Sequence, residues 1–132
     1  MSIRKLPDYR FKQKILYTDN TNPKVLMNYG DLFFAEGNFS DALDFYQKAT
    51  FPEGLQKIKN ASLESGDVFL FQRAAKALNM EIKPADWESI ARNALKFKKY
   101  LFARHASEKT NNEELLSSLK QIMQAEEHNK IS

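Results

Sequence analysis

Apolar positions in this 132-residue chain recur at intervals of three and four over most of its length. Such spacing places side chains on one face of an α-helix, so it predicts amphipathic helices. Between residues 23 and 36 the apolar face consists of Val25, Leu26, Tyr29, Leu32 and Phe33. Gly37 and Asn38 then interrupt the pattern, and a second stripe begins at Phe39. Because glycine accepts the left-handed conformation that ends a helix, the pattern predicts two antiparallel helices joined by a tight turn.

The same arrangement occurs three times, and a proline marks each start. Fourteen residues after Pro23, Pro52 and Pro84 come breaks in the apolar pattern, at Gly37, Gly66 and Lys98. Two residues after each break stands Phe39, Val68 or Tyr100. Proline suits the first position of a helix, where its missing N–H would have no partner. A period of 29 to 32 residues built from helix pairs predicts an all-α fold of antiparallel repeats stacked as a short right-handed α-solenoid.

The repeat pattern also predicts the domain organisation. We assign residues 23–50, 52–80 and 84–109 to three helix pairs, and residues 112–128 to a capping helix that shields the last pair. Together they form one repeat domain, residues 23–128, and residues 129–132 are expected to fray. Residues 1–22 show no clean helical period and are assigned to a basic N-terminal arm. An irregular helical bundle is the alternative, because apolar residues at helical spacing indicate only a core.

Composition narrows the class of protein. The chain has no cysteine, which excludes disulfides and thiolate metal sites. It contains no apolar run of about 18 residues, so we expect no membrane span. The first residues lack the apolar run of a signal peptide, and we expect a cytoplasmic protein.

We find no set of residues that indicates catalysis. The two histidines, His105 and His128, fall on different predicted helices. The sequence contains no glycine-rich phosphate loop and no nucleophile elbow. We therefore expect a protein that is not an enzyme and that binds no cofactor and no metal.

The net charge of +3 is unevenly distributed. Against Asp8 alone, residues 1–14 of the arm carry Arg4, Lys5, Arg10, Lys12 and Lys14. A second basic cluster, residues 92–104, contains Arg92, Lys96, Lys98, Lys99 and Arg104. Cations interleaved with aromatic residues in the arm are typical of RNA binding by stacking and phosphate contacts. The alternative, which we favour, is that Phe11, Leu16 and Tyr17 pack over the first helix pair while the cations stay in solvent.

Residues 26–49 resemble a single tetratricopeptide repeat (TPR). The matching positions are Leu26, Tyr29, Gly30, Phe33, Gly37, Phe39, Ala42, Tyr46 and Ala49. The third pair matches at Trp87, Ala91, Tyr100 and Ala103. The second pair departs from the pattern, with Lys59 and Phe71 where the family has small residues.

The resemblance implies a concave groove, lined by the first helix of each pair, that holds an extended peptide or a helix of another protein. Carried onto this chain, the groove residues are Lys24, Met27, Asp31, Phe34, Glu53, Gln56, Asn60, Glu88, Arg92 and Lys96. Phe34 lies off the buried stripe, so it either anchors a partner or packs on the neighbouring pair. Some members of the family clamp a C-terminal carboxylate with paired Asn and Lys residues. Asp31 stands where the first Asn would be and would repel a carboxylate, so that clamp is not expected.

The sequence therefore predicts a non-catalytic protein–protein interaction adaptor or assembly subunit, which binds a partner segment in its groove as part of a larger complex. Two alternatives remain open. One is a basic RNA- or DNA-associated module that uses the arm and the 92–104 cluster. The other is a small TPR-type chaperone for an exported or unassembled protein.

Overall fold

The computed structural model describes residues 9–17 and 22–131, and its regular secondary structure in these residues is entirely α-helical. This confirms the predicted all-α class for the described part of the chain. Its helices are α1 (Tyr9–Tyr17), α2 (Pro23–Ala35), α3 (Phe39–Lys48), α4 (Pro52–Ser65), α5 (Val68–Ala77), α6 (Pro84–Lys96), α7 (Tyr100–Glu108) and α8 (Glu113–Ile131).

The chain divides into two compact units, Met1–Lys59 and Asn60–Ser132, and the boundary falls within α4. In the first unit, α3 packs against both α2 and α1. In the second unit, α7 packs against α5, α6 and α8, and α5 also contacts α6.

Helix starts recur at similar intervals along the chain. Pro23, Pro52 and Pro84 are the first residues of α2, α4 and α6, as the sequence predicts. Successive starts lie 29 and 32 residues apart, and the starts of α3, α5 and α7 repeat the same two intervals. The Asn22 side chain accepts a hydrogen bond from the Lys24 N–H at 2.8 Å, and so caps α2 at the residue before the proline.

Five successive helices, α2 to α6, end in the same backbone motif. At the end of α2, the Asn38 N–H donates to the Phe33 carbonyl at 2.9 Å and the Gly37 N–H donates to the Phe34 carbonyl at 3.0 Å. This pair of bonds is a Schellman motif, which needs one residue in the left-handed conformation. In these five motifs the left-handed residues are Gly37 (φ 78°), Thr50 (52°), Gly66 (74°), Asn79 (56°) and Lys98 (59°). The Lys98 break is therefore a true helix stop of the same geometry as the two glycine breaks.

Stacked aromatic rings form much of the first unit's core. The Phe45 ring lies 5.3 Å from that of Phe33 and 5.6 Å from that of Tyr29. Phe45 is fully buried, whereas Val25, which the sequence places on the apolar face of α2, is exposed. Phe45 is buried because it lies on the face of α3 that packs against the Phe33 and Tyr29 rings of α2.

The ring of Tyr46 fills the space beside two glycines of the first unit. A Cβ atom on Gly30 would lie 2.5 Å from Tyr46 Cε1, and one on Gly54 would lie 2.5 Å from Tyr46 Cδ1. Real Cβ contacts are essentially never that short, so both positions require glycine as long as the ring stays in place. Glycine weakens a helix, and the clash with Tyr46 explains why Gly54 nevertheless stands in the first turn of α4.

The second unit has a core of small and large apolar side chains. One cluster comprises Val68, Phe71, Trp87, Ile90, Ala91, Ala106 and Leu115, and a second comprises Ala94, Ala103 and Leu119. Gly66 lies directly against the backbone of α6 at Ala94, where a side chain would clash. Gly66 therefore serves both as a left-handed stop and as a point of close helix approach.

Helix α1 corrects the sequence analysis, which expected no regular helix in residues 1–22. Ile15 and Leu16 are buried, and Lys12 lies on the same face because it is three and four residues away. A helix of nine residues is marginal in isolation, so packing on α3 stabilises it. Periodicity missed α1 because one of its inward residues is a cation. The side chains of Phe11 and Tyr17 lie outside the described residues.

Helix α8 is longer than the sequence suggests. It packs on α7 and extends to Ile131, so it includes residues that were expected to fray. Its N-terminus is capped by Asn112, whose side-chain oxygen accepts a hydrogen bond from the Leu115 N–H at 3.0 Å.

We expect Gly30→Ala to lower the free energy of unfolding by about 1–3 kcal/mol, because the new methyl group overpacks the site against Tyr46. In an unconstrained helix the same substitution stabilises by about 1 kcal/mol, so the sign of the effect is diagnostic. Urea denaturation of Gly30→Ala, Tyr46→Leu and the double variant gives the measurement. Strictly additive effects in the double variant would contradict the contact.

We expect Lys98→Gly to raise the free energy of unfolding by about 0.5–1 kcal/mol, because a left-handed residue with a Cβ atom is strained and glycine is not. Lys98→Ala is the matched control, since it removes the charge and keeps the Cβ atom. Thermal and urea denaturation should rank the glycine variant above both others. Equal stability of the glycine and alanine variants would show that the left-handed conformation carries no strain.

Candidate partner-binding surface

Six of the ten predicted groove residues lie in the first unit, on α2 and the start of α4. Lys24, Asp31 and Glu53 are exposed, and Met27, Phe34 and Gln56 are half-buried. The four on α2 are spaced by three and four residues, so they share one face of that helix. None of the six belongs to the buried core, and their side chains are at least partly available to a partner.

Asp31 has two defined partners on this surface. Its Oδ1 atom accepts a hydrogen bond of 2.5 Å from the hydroxyl of Tyr46. The same oxygen lies 3.7 Å from Nζ of Lys57, and 55% of the Asp31 side chain is exposed. Because the Tyr46 ring fills the space beside Gly30 and Gly54, its hydroxyl holds the carboxylate in one orientation.

Phe34 lies beside Lys57, the residue that forms a salt bridge with Asp31. Its ring centroid is 5.0 Å from that of Phe39, the first residue of α3, and Nζ of Lys57 lies 4.6 Å from the Phe34 centroid. Phe34 thus packs within its own helix pair and against α4 of the same unit, and it remains half-buried with part of its surface in solvent.

Sequence reasoning missed two members of this site, Tyr46 and Lys57. The sequence indicates Tyr46 only as a position that matches the TPR pattern, although its hydroxyl is a donor that needs a partner when buried. Lys57 carries no signal in the sequence, because its contacts come from residues on α2 and α3 that are distant in the chain.

The environment of Tyr46 changes its acidity. Burial, with a further contribution from the hydrogen bond to Asp31 and from the charge of that carboxylate, raises the pKa of Tyr46 well above its ordinary value of 10.0. The phenol is therefore a neutral donor at any physiological pH.

The other four predicted groove residues lie in the second unit. Asn60, Arg92 and Lys96 are exposed, and Glu88 is half-buried. Glu88 accepts a hydrogen bond from the side-chain amide of Asn112 at 3.4 Å, which ties it to the start of α8. Glu88, Arg92 and Lys96 are spaced by four residues and share one face of α6.

One cation of the basic arm, Lys12, forms ion pairs within the first unit. Lys12 forms ion pairs with Asp41 and with Asp44, the latter at 3.2 Å, and only 12% of its side chain is exposed. Burial alone would lower the pKa of Lys12, but the hydrogen bonds and charges of the two aspartates outweigh it and raise the pKa above 10.5. Arg10 and Lys14 are exposed, whereas Arg4 and Lys5 lie outside the described residues.

Two cations of the 92–104 cluster, Lys99 and Arg104, also have partners within the protein. Nζ of Lys99 donates to the Ser65 carbonyl at 2.6 Å, and Nε of Arg104 pairs with Glu108 at 3.2 Å. Lys96 and Lys98 are exposed, and Nζ of Lys96 lies 5.6 Å from the ring centroid of Phe97.

His105 packs against the rings of Phe69 and Trp87, at centroid distances of 5.1 and 6.4 Å, and is not a freely exposed residue. Within residues 9–17 and 22–131, no three histidine, aspartate or glutamate side chains come together as a metal-binding group. None of the described helices is both long and apolar enough to cross a membrane.

Comparison with known proteins gives no match to this chain, either among protein-family models, among curated proteins or among solved structures.

We expect the stability that Tyr46 contributes to decline above about pH 10. In the unfolded chain Tyr46 ionises near 10.0, whereas in the folded protein its raised pKa keeps it neutral. The unfolded state then binds fewer protons than the folded state, so the free energy of unfolding falls as pH rises.

Urea denaturation of the wild type and Tyr46→Phe at several pH values measures this effect. At pH 8 the variant should be less stable by about 1–2 kcal/mol, the value of a hydrogen bond to a charged acceptor. Above pH 10 the difference should shrink by about 1.4 kcal/mol per pH unit. Contributions from the other groups that titrate in this range are common to both proteins and cancel in the difference. A difference that stays constant up to pH 11 would show that Tyr46 titrates normally.

Proposed function

We propose that this chain is a non-catalytic protein–protein interaction adaptor or assembly subunit. In this proposal its three helix pairs stack as a short right-handed α-solenoid of the TPR type. The single observation that carries the proposal is the recurrence of helix, left-handed stop and partner helix at intervals of 29 and 32 residues. Such recurrence is typical of repeat proteins, which bind partner segments along an extended surface.

The distribution of burial supports the proposed groove. The second helix of each pair places several side chains in the core, including Phe45, Phe71 and Ala106. All ten groove residues on the first helices are exposed or half-buried. A surface with charged, amide and aromatic side chains can bind an extended peptide or a helix of another protein.

Nucleic acid is a weaker candidate for the partner. Affinity for nucleic acid depends on the number of cations free to neutralise phosphates. Lys12, Lys99 and Arg104 have partners within the protein, which lowers the number available from the two basic segments. A chaperone role would use the same groove, so it differs from an adaptor in the identity of the partner.

The experiment starts with a pull-down from native lysate, with and without nuclease, followed by titration calorimetry against the captured partner. The groove variant is Glu53→Ala with Arg92→Ala, which removes two exposed side chains of opposite charge and leaves the net charge unchanged. We expect it to bind about tenfold or more weakly, since each lost polar contact is worth roughly 0.5–1.5 kcal/mol. Its thermal denaturation should match the wild type.

The arm variant, Arg4→Glu with Arg10→Glu, is the matched comparison. Lys12 is left unchanged because a third carboxylate beside Asp41 and Asp44 would destabilise α1. Reversed charges in the arm should matter little to a protein partner but strongly to RNA. Loss of binding in the arm variant with normal binding in the groove variant would overturn the adaptor proposal and favour the nucleic-acid function.

A further inference from the structure

A cation already occupies a defined position on the exposed face of the first unit. Nζ of Lys57 lies 4.6 Å from the ring centroid of Phe34 and 5.8 Å from that of Tyr46. It also lies 3.7 Å from Oδ1 of Asp31. Two aromatic rings and a carboxylate around one ammonium group are the combination by which proteins recognise organic cations.

The groups that surround this cation are held by the rest of the unit. The Asp31 carboxylate accepts the 2.5 Å hydrogen bond from Tyr46, whose ring is confined beside Gly30 and Gly54. The Phe34 ring packs on Phe39. A site whose groups are fixed before binding loses less conformational entropy when a ligand arrives.

Lys57 itself is the mobile member. Its side chain is 48% exposed and extends from α4 on a flexible four-carbon stem. Ion pairs and cation–π contacts at exposed positions are each worth only about 0.5–1 kcal/mol, so an external cation can compete with Lys57 for the same position.

We propose that Asp31, Phe34 and Tyr46 form a recognition site for a cationic side chain of a partner segment, either lysine, its methylated forms or arginine, and that Lys57 is an intramolecular competitor for this site. The inference rests on the proposed function, because Asp31 and Phe34 belong to the proposed groove. It adds the chemistry of one partner residue, which the groove alone does not specify.

The proposal has a consequence that a structural salt bridge does not share. Occupation by Lys57 reduces the fraction of molecules that are competent to bind, so it lowers the apparent affinity for an external cation. Removing the ammonium group while keeping the apolar stem, as in Lys57→Met, therefore strengthens binding. If Lys57 only stabilised the fold, the same substitution would leave affinity for a cation unchanged.

The test is an NMR titration that follows the ring signals of Phe34 and Tyr46. The probes are Nα-acetyl-lysine methylamide, its Nζ-trimethylated form and the uncharged norleucine counterpart. We expect Lys57→Met to bind both cationic probes about fivefold more tightly than the wild type, the effect of one exposed contact. Introduced singly into Lys57→Met, Asp31→Asn and Phe34→Leu should each cancel that gain. The norleucine probe should leave the signals unmoved in all variants.

Lys76→Met is the matched control, because it makes the same substitution at an exposed cation of the second unit and should titrate like the wild type. Lys57→Gln provides a second uncharged variant if Lys57→Met is poorly folded. Equal shifts with the norleucine and lysine probes, or unchanged affinity in both Lys57 variants, would overturn the inference. The probes are free amino-acid derivatives, so failure here leaves the adaptor proposal standing. Conversely, normal binding of a captured partner by the groove variant would contradict the adaptor proposal. It would not contradict the cation site, because neither Glu53 nor Arg92 belongs to that site.

Discussion

The packing of one aromatic ring constrains the first unit more than any other contact described. Tyr46 leaves no room for a Cβ atom on α2 at Gly30 or on α4 at Gly54, so three helices approach each other around a single side chain. Its hydroxyl, at the edge of the same ring, reaches Asp31 on the surface. Tyr46 therefore fixes the spacing of the helices and also the orientation of the carboxylate on the candidate binding surface.

This arrangement links stability to recognition. A buried phenol needs a hydrogen-bond acceptor, and an ionised carboxylate is a strong one. The contact lets a half-exposed aspartate keep one geometry without being buried, which preserves its charge for a partner. The neighbouring Lys57 balances that charge in the free protein. The proposed site is thus set by packing inside the unit, and the surface residues alone would not specify it.

Helix class, helix starts and stops were largely predictable because local chemistry determines them. Proline at a first helical position and a break fourteen residues later are visible in the sequence. Helix α1 was not predictable because its stability depends on packing against α3. The burial of Phe45 was not predictable because it depends on the rings of Phe33 and Tyr29 on α2. All ten predicted groove residues are exposed or half-buried, whereas Lys57 was missed because its partners lie on other helices.

The left-handed stops have a consequence for how this architecture tolerates change. Glycine occupies only two of the five stops, and threonine, asparagine and lysine adopt the same backbone at the others. The two hydrogen bonds of each motif and the packing of the flanking helices are therefore sufficient to impose the turn. Mutation can therefore replace the glycine that marks a turn in the sequence while the turn itself is retained, so the positions of these turns are less sensitive to substitution than the residues that occupy them.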